Sequence, residues 1–329
     1  MDFALDDDQR ELASTVRSLL DKRAGSAAVR AAAESEAGYD SALWSALAEQ
    51  VGVAALAVPE QYDGVGASFF ETAVVLEELG RSLAPNPLLA TTVAAEALLA
   101  GGTEEVRQRL LPRLAAGEIG TLVTDPWAVL DVEHATIVLA VVGDDLVEVS
   151  DPRTTWAESM DQTLRLGRAD LDAAATTVIG DGAAALARTE LVTAAAVAAL
   201  AVGLCQRALD ETVGYARERE QFGRPIGSFQ ALKHRMADML VRTEISRSAS
   251  WAACYALAHS DDAEETAMLV RTAVSYALES AQLVTGEAIQ LHGGIAITWE
   301  HDAHLWFKRA HALSHLAGAP HRHRAAVTL

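Results

Sequence analysis

From about Ala184 to Glu218 the chain reads as one helix, and inside it Val192–Cys205 runs for about 14 residues without a charge. A helix that is apolar all round has to be covered all round. The run falls short of the about 20 residues needed to cross a bilayer, so the sequence predicts a helix buried among other helices. Helical periods at about 229–259, 262–291 and 299–316 supply them, and four antiparallel helices make a bundle. Gly223, Pro225 and Gly227 break the pattern and predict a loop over 221–228.

Upstream, Leu12, Val16, Leu19 and Leu20 recur at helical spacing behind Asp6, Asp7 and Asp8, which predicts a first helix over 5–24. Further helices are expected at about 40–51, 68–82, 88–101 and 103–117, punctuated by Gly64, Gly66, Pro85 and Pro87. The texture changes between Gly120 and about Gly182. Ala135–Val142, a Gly143-Asp144-Asp145 turn and Leu146–Val149 read as a hairpin, and Thr176–Ile179 as another short strand. The expected fold is mostly α: an N-terminal helical domain over 1–119, a small β domain over 120–182 and a C-terminal helical bundle over 183–329.

With 26 basic and 46 acidic residues the net charge is −20, which argues against nucleic acid or an anionic membrane as partner. The only cysteines, Cys205 and Cys254, lie in alanine-rich helical stretches and are expected to be buried reduced thiols. Met1-Asp2-Phe3-Ala4-Leu5 lacks the basic-then-apolar signal pattern, so a cytoplasmic protein is expected.

Two stretches carry chemistry. One is Arg217-Glu218-Arg219-Glu220-Gln221-Phe222-Gly223-Arg224-Pro225-Ile226-Gly227-Ser228-Phe229-Gln230; the other is Gln290-Leu291-His292-Gly293-Gly294. Arginine offers planar donors to a phosphate, glutamine adds neutral donors, and paired glycines let backbone amides approach an anion. Phe222 offers an aromatic face to an adenine ring. Arg219 has a second reading, a surface ion pair with Glu218 or Glu220.

The order of these strings resembles the C-terminal domain of the acyl-CoA dehydrogenase family, from "YARERE QFGRPIGSFQALKHRMADM" to "QLHGGIAITWEHDAHLWFKRA". "LAVPEQYDGVGASFFETAVVLEELGRSLAPNP" is similar to that family's first helical domain. The resemblance implies an acyl-CoA dehydrogenase-like fold with a shortened middle β domain, FAD as cofactor, an acyl-CoA substrate and an electron-transfer acceptor. It also places Arg219, Phe222, Gln230, Gln290, Gly293 and Gly294 at the ADP half of FAD, which in the family usually belongs to a neighbouring subunit.

The resemblance fails at the reactive end. Thr124-Asp125-Pro126 stands where the family has Thr-Glu-Pro, but no Gly-Ser-Asp follows, and no lysine occurs between Arg113 and Arg207. Trp127 or Trp156 could stack on a flavin, although a tryptophan in a sheet is more often core. The two positions at which family members carry the catalytic glutamate align with Ala317 and Thr193, and neither side chain can take a proton. Glu190, one turn before Thr193, and His315, close to Ala317, are the available substitutes, Glu190 otherwise serving as a helix-dipole partner. His304, His311 and His315 share one helix face, with His301, His321 and His323 nearby, but no C-x-x-C or H-E-x-x-H accompanies them. Surface or interface histidines and no metal are therefore expected.

Loss of both base positions beside an intact ADP grip resembles the short, base-less subunit of actinobacterial heterotetrameric acyl-CoA dehydrogenases of the steroid side-chain type. The tail "SHLAGAPHRHR" looks like theirs. The implied partner is a full-length acyl-CoA dehydrogenase subunit in an α2β2 assembly. A self-sufficient homo-oligomer using Glu190 or His315, and a scaffold with no redox role, stand as alternatives.

Overall fold

The computed structural model describes residues 4–172 and 174–327. Its first helices are α1 (Asp7–Arg23), α2 (Ser26–Glu34), α3 (Ser41–Ser45), α4 (Phe69–Ser82), α5 (Leu88–Gly101) and α6 (Glu104–Ala115). Asp7 and Asp8 open α1 while Lys22 and Arg23 close it, matching both ends of its dipole. Asp40 caps α3 by accepting from the amides of Ala42 and Leu43. Beyond α3 the helix widens into a π-turn over Ala46–Val51 and stops at Gly52, which is left-handed at φ 78°, where the sequence predicts plain helix to 51. Eleven residues of α5 are buried, among them Glu96, which pairs with Arg188 at 2.8 Å.

The expected hairpin forms as β3 (Ile137–Val142) and β4 (Asp145–Ser150), within a larger set: β1 (Gly120–Val123), β2 (Val129–Leu130), β5 (Arg153–Trp156), β6 (Leu166–Asp170) and β7 (Ala175–Asp181). One sheet has the order β1-β3-β4-β7, with β1 parallel to β3, and the other β2-β6-β5. Side chains alternate across a strand. Leu122, Ile137, Leu139, Leu146 and Ile179 accordingly pack on Ala94, Leu98, Leu110, Leu111 and Leu114 of the helices. Val123, Val138, Ala140, Val147 and Val149 face the other way, onto Val129, Val132 and Ala169. Burial on both faces explains the unbroken apolar run of β3. The end of β7 is pinned to the end of α5 by mutual close approach, since a Cβ at Gly180 would strike the carbonyl of Gly101 and one at Gly101 the carbonyl of Asp181. These strands, the N-terminal helices up to Val75 and the residues from Ala84 to Thr193 form one compact unit.

The second unit gathers Leu76–Leu83 and the chain from Ala194 onward. It holds most of α7 (Gly182–Glu218), then the two-residue strands β8 (Glu220–Gln221) and β9 (Arg224–Pro225), α8 (Gln230–His259), α9 (Ala263–His292), α10 (Ala303–Leu316) and α11 (Pro320–Ala325). By length and composition α7 could cross a membrane, yet 78% of its most apolar window is buried within the protein. The C-terminal half of α4 lies against α7 through reciprocal glycines. A Cβ at Gly80 would collide with the carbonyl of Leu200, and one at Gly203 with the carbonyl of Glu77. Around this crossing Glu77 receives the Trp251 indole N–H at 3.0 Å and pairs with Arg247, which donates to Gln206 at 2.6 Å. Cys205 and Cys254 are free and buried, and burial pushes both thiols up to about 12.

Asp131, in the turn after β2, is 4% exposed and left-handed at φ 51°. Its amide donates to the carbonyl of Arg165 at 3.0 Å. Burial pushes its carboxyl up to about 8, against a smaller opposing pull from Arg165. Tyr39 is raised as well, first by burial and then by Asp131.

Two outcomes follow from this packing. Gly203→Ala should lose about 3 kcal/mol, because backbone blocks the new methyl, whereas Gly214→Ala on the same helix, with open space around it, should gain about 0.5–1 kcal/mol; thermal unfolding of both variants checks this. Asp131 retains in the fold a proton that the unfolded chain releases above its ordinary 3.8. Stability should therefore fall as pH rises from about 4 to about 8, by up to about 1.4 kcal/mol per unit, and level off above. Asp131→Asn, which also suits the left-handed backbone, should abolish that slope, and parallel urea-midpoint curves for parent and variant would contradict it.

Candidate functional site

The end of α7 leads directly into a hairpin where the sequence predicts an open loop. The amide of Arg219 donates to Tyr215 at 2.8 Å, and Ile226 donates to the carbonyl of Arg219 at 2.8 Å. Glu220 pairs with Pro225 and Gln221 with Arg224, leaving Phe222 and Gly223 as a two-residue turn at φ 55° and 75°. Positive φ at both central residues suits the right-handed twist of a hairpin, but an aromatic in that region is strained. Phe222 is nonetheless 92% exposed at the tip. Its ring stands edge-on to Phe229 at 6.1 Å, and the guanidinium of Arg224 lies 4.1 Å above Phe229.

The second motif closes α9. His292 is buried, donates from Nδ1 to the carbonyl of Ala288 at 2.7 Å, and stacks on Tyr215 at 4.6 Å. It also meets His301 at 4.5 Å. Burial holds its pKa down, and its Nε2 has no hydrogen-bond partner among the described residues. Tyr215 lies one turn before Arg219, so this stack brings the two motifs to one end of the bundle. Immediately beyond, Gly293 adopts φ 67°, ψ −145°, a region open to glycine alone. Gly293 and Gly294 are exposed, with open space where their Cβ atoms would be.

Arg219, Gln230 and Gln290 are all exposed. Among the described residues Arg219 makes no ion pair, so the alternative pairing with Glu218 or Glu220 does not form. Two arginines, two glutamines, an exposed glycine backbone and a presented aromatic suit a diphosphate joined to a planar base. Arg224, the Tyr215–His292 stack and the strained turn join the site without being predicted from the sequence. Arg224 was legible as a second arginine across a Phe-Gly turn, whereas the stack joins residues too far apart in sequence to be inferred.

Of the residues expected at the base positions, Ala317 caps α10 and its carbonyl accepts from Nε2 of His323 at 2.8 Å. The tail helix α11 is tied to α9 by Arg324 to Glu279 at 2.6 Å and by Ser275 to the carbonyl of Pro320 at 3.0 Å. Thr193 is half-buried in α7; Glu190 and His315 are exposed. His311 bonds the carbonyl of Phe307 through Nδ1 at 2.9 Å, and His304 stands edge-on to Trp299 at 4.7 Å. Among the described residues no three histidine, cysteine or acidic side chains converge as a metal would require. Trp127 and Trp156 are not core, being 68% and 52% exposed with Arg168 and Arg165 each 5.2 Å from the ring centre. A three-stranded sheet of such short strands has too little interior to bury them.

Residues 6–118 match the model of the acyl-CoA dehydrogenase N-terminal domain, and 180–328 that of the C-terminal domain. Over 315 residues the chain is 45% identical to acyl-CoA dehydrogenase IpdE2 of Mycolicibacterium smegmatis, covering 95% of this chain and 96% of that protein. Among solved structures it is similar to a variant of the Tcur3481-Tcur3483 steroid ACAD, at 30% identity and a TM-score of 0.87 over 97% of this chain and 96% of that one. The ChsE4-ChsE5 complex of Mycobacterium tuberculosis shares the fold, at 24% identity and a TM-score of 0.89 over 99% and 98% of the two chains.

Proposed function

Because the chain belongs to the acyl-CoA dehydrogenase family, we propose that it is the flavin-clamping subunit of a hetero-oligomeric enzyme that desaturates a CoA thioester between its α and β carbons. The carrying observation is the exposed donor set at the ends of α7 and α9, which forms no ion pair among the described residues, taken together with Ala317 and Thr193 at the positions expected for the base. FAD, when bound, would take up the hydride from the β carbon. This chain's part is to hold the cofactor's ADP half. Arg219 and Arg224 offer charged donors to the diphosphate, Gln230 and Gln290 add neutral ones, and the Gly293–Gly294 backbone admits a close approach. Phe222 covers the adenine face.

Proton abstraction needs a positioned base within hydrogen-bond reach of the α carbon's proton. Neither Ala317 nor Thr193 is one, so the base comes from a full-length subunit in an α2β2 assembly, which also supplies the thioester site and passes electrons to an acceptor. The likeness to a structure described as a steroid ACAD supports a bulky, steroid-derived acyl group.

Co-expression with the full-length subunit should yield one FAD per pair of unlike chains. Each charged hydrogen bond to phosphate contributes about 1.5–3 kcal/mol, so Arg219→Ala combined with Gln290→Ala should weaken flavin retention at least about tenfold. Flavin content unchanged by both substitutions would leave the chain as a scaffold. A yellow, acyl-CoA-reducible protein obtained from this chain alone would establish the self-sufficient alternative instead.

A further inference from the structure

At the end of the bundle the rings of His292 and His301 stand 4.5 Å apart. Tyr215 stacks on His292 at 4.6 Å, and Trp306 of α10 stands edge-on to both imidazoles, at 6.0 Å and 5.7 Å. Each imidazole commits one nitrogen to the backbone, in opposite senses. Nδ1 of His292 donates to the carbonyl of Ala288 at 2.7 Å, whereas Nδ1 of His301 accepts from the amide of Ala303 at 3.1 Å, at the start of α10. A proton added to Nδ1 of His301 would forfeit that bond. One added to His292 would fall on Nε2, which is buried and has no partner among the described residues. A buried donor without an acceptor is costly, and a charged one more so. The pair is thus built for uncharged rings, and two imidazolium ions at this distance would also repel.

The groups around His292 act unequally on its charge. Burial holds its pKa down and His301 adds to this, while the bond to Ala288 and the carboxylate of Glu211 on α7 pull the other way. Glu211 is itself engaged by Arg207 at 3.0 Å, and Tyr215, the remaining titratable neighbour, meets His292 ring to ring. Tyr215 also accepts the amide of Arg219 at 2.8 Å through its carbonyl, and Gly293 follows His292 directly. Separating these rings detaches the arginine side of the clamp from the glycine side. We propose that His292 and His301 form an acid-triggered release for the cofactor held here, protons taken up by the rings parting the ends of α7 and α9. This rests on the clamp described above and adds its regulation. Freed from its neighbours, His292 returns to its ordinary 6.5, so the opened end takes up a proton that the closed end excludes. Closure therefore weakens as pH falls through that value, by up to about tenfold per unit for one linked proton.

The complex co-expressed with the full-length subunit tests this through released flavin, read by fluorescence from about pH 7.5 down to about pH 5.5, the span in which histidine titrates. The dissociation constant of the parent should rise about tenfold over that span. His292→Phe keeps a ring against Tyr215 and His301→Asn keeps an acceptor for Ala303, yet neither new side chain can be charged. Each should flatten the slope, taken against that variant's own value at the upper pH. A parent without the slope, or a slope that survives both substitutions, would overturn the proposal. Hydrogen exchange over residues 215–222 and 290–302 of the full chain, corrected for its intrinsic pH dependence, gives a reading that needs no flavin. Both segments should open on acidification in the parent and stay closed in the variants, and segments that stay closed in the parent would overturn the proposal as well. Segments that open beside flavin that Arg219→Ala with Gln290→Ala fails to loosen would refute the clamp and the release with it, so the two failures are told apart.

Discussion

The helical bundle rests on the absence of two side chains. Where α4 crosses α7, Gly80 and Gly203 let each helix rest against the other's backbone. That approach brings Glu77 within reach of both Trp251 and Arg247, and through Arg247 of Gln206 and Asp210. A partly buried carboxylate is costly unless satisfied, and here two donors from α8 satisfy it. The crossing thus fixes where α8 lies, and α8 carries Gln230 at its start. A second reciprocal contact, Gly101 with Gly180, performs the same task for the sheet.

How much of this was legible follows from the range of the interactions involved. The 37-residue span of α7 announced itself through one local property, an apolar run that had to be enclosed. The β3–β4 hairpin was equally legible from its Gly143 turn. By contrast β2 is two residues long and β1 pairs in parallel with β3 across a connection, so neither has a local signature. The hairpin at Phe222 was hidden for another reason. Its first turn residue breaks the usual preference for glycine or asparagine, and propensity alone argued for a loop. The motif residues were visible because their types speak for their chemistry. Their convergence was not, since it depends on a ring stack between Tyr215 and His292.

The site's electrostatics run against the protein's overall charge. A chain of net charge −20 nonetheless presents Arg219 and Arg224 without carboxylate partners among the described residues, at one end of the bundle. Elsewhere its arginines are mostly engaged, Arg109 with Glu148, Arg113 with Glu118 and Arg188 with Glu96. Free donors in an acidic protein are a sharper indication of an anion site than the same donors in a basic one, because intramolecular partners were plentiful.

The strained turn at Phe222 has an evolutionary consequence. A bulky residue held left-handed costs on the order of 1 kcal/mol or more, and asparagine or glycine would relieve it at no loss to the hairpin. On the proposed clamp, folding stability and ligand contact therefore select opposite residues at this one position. A lineage that keeps the aromatic is still using the tip, and one that has stopped using it has every reason to drift to the relaxed residue. If this chain is the clamp proposed above, position 222 is a marker, readable from sequence alone, of whether a descendant still works as one.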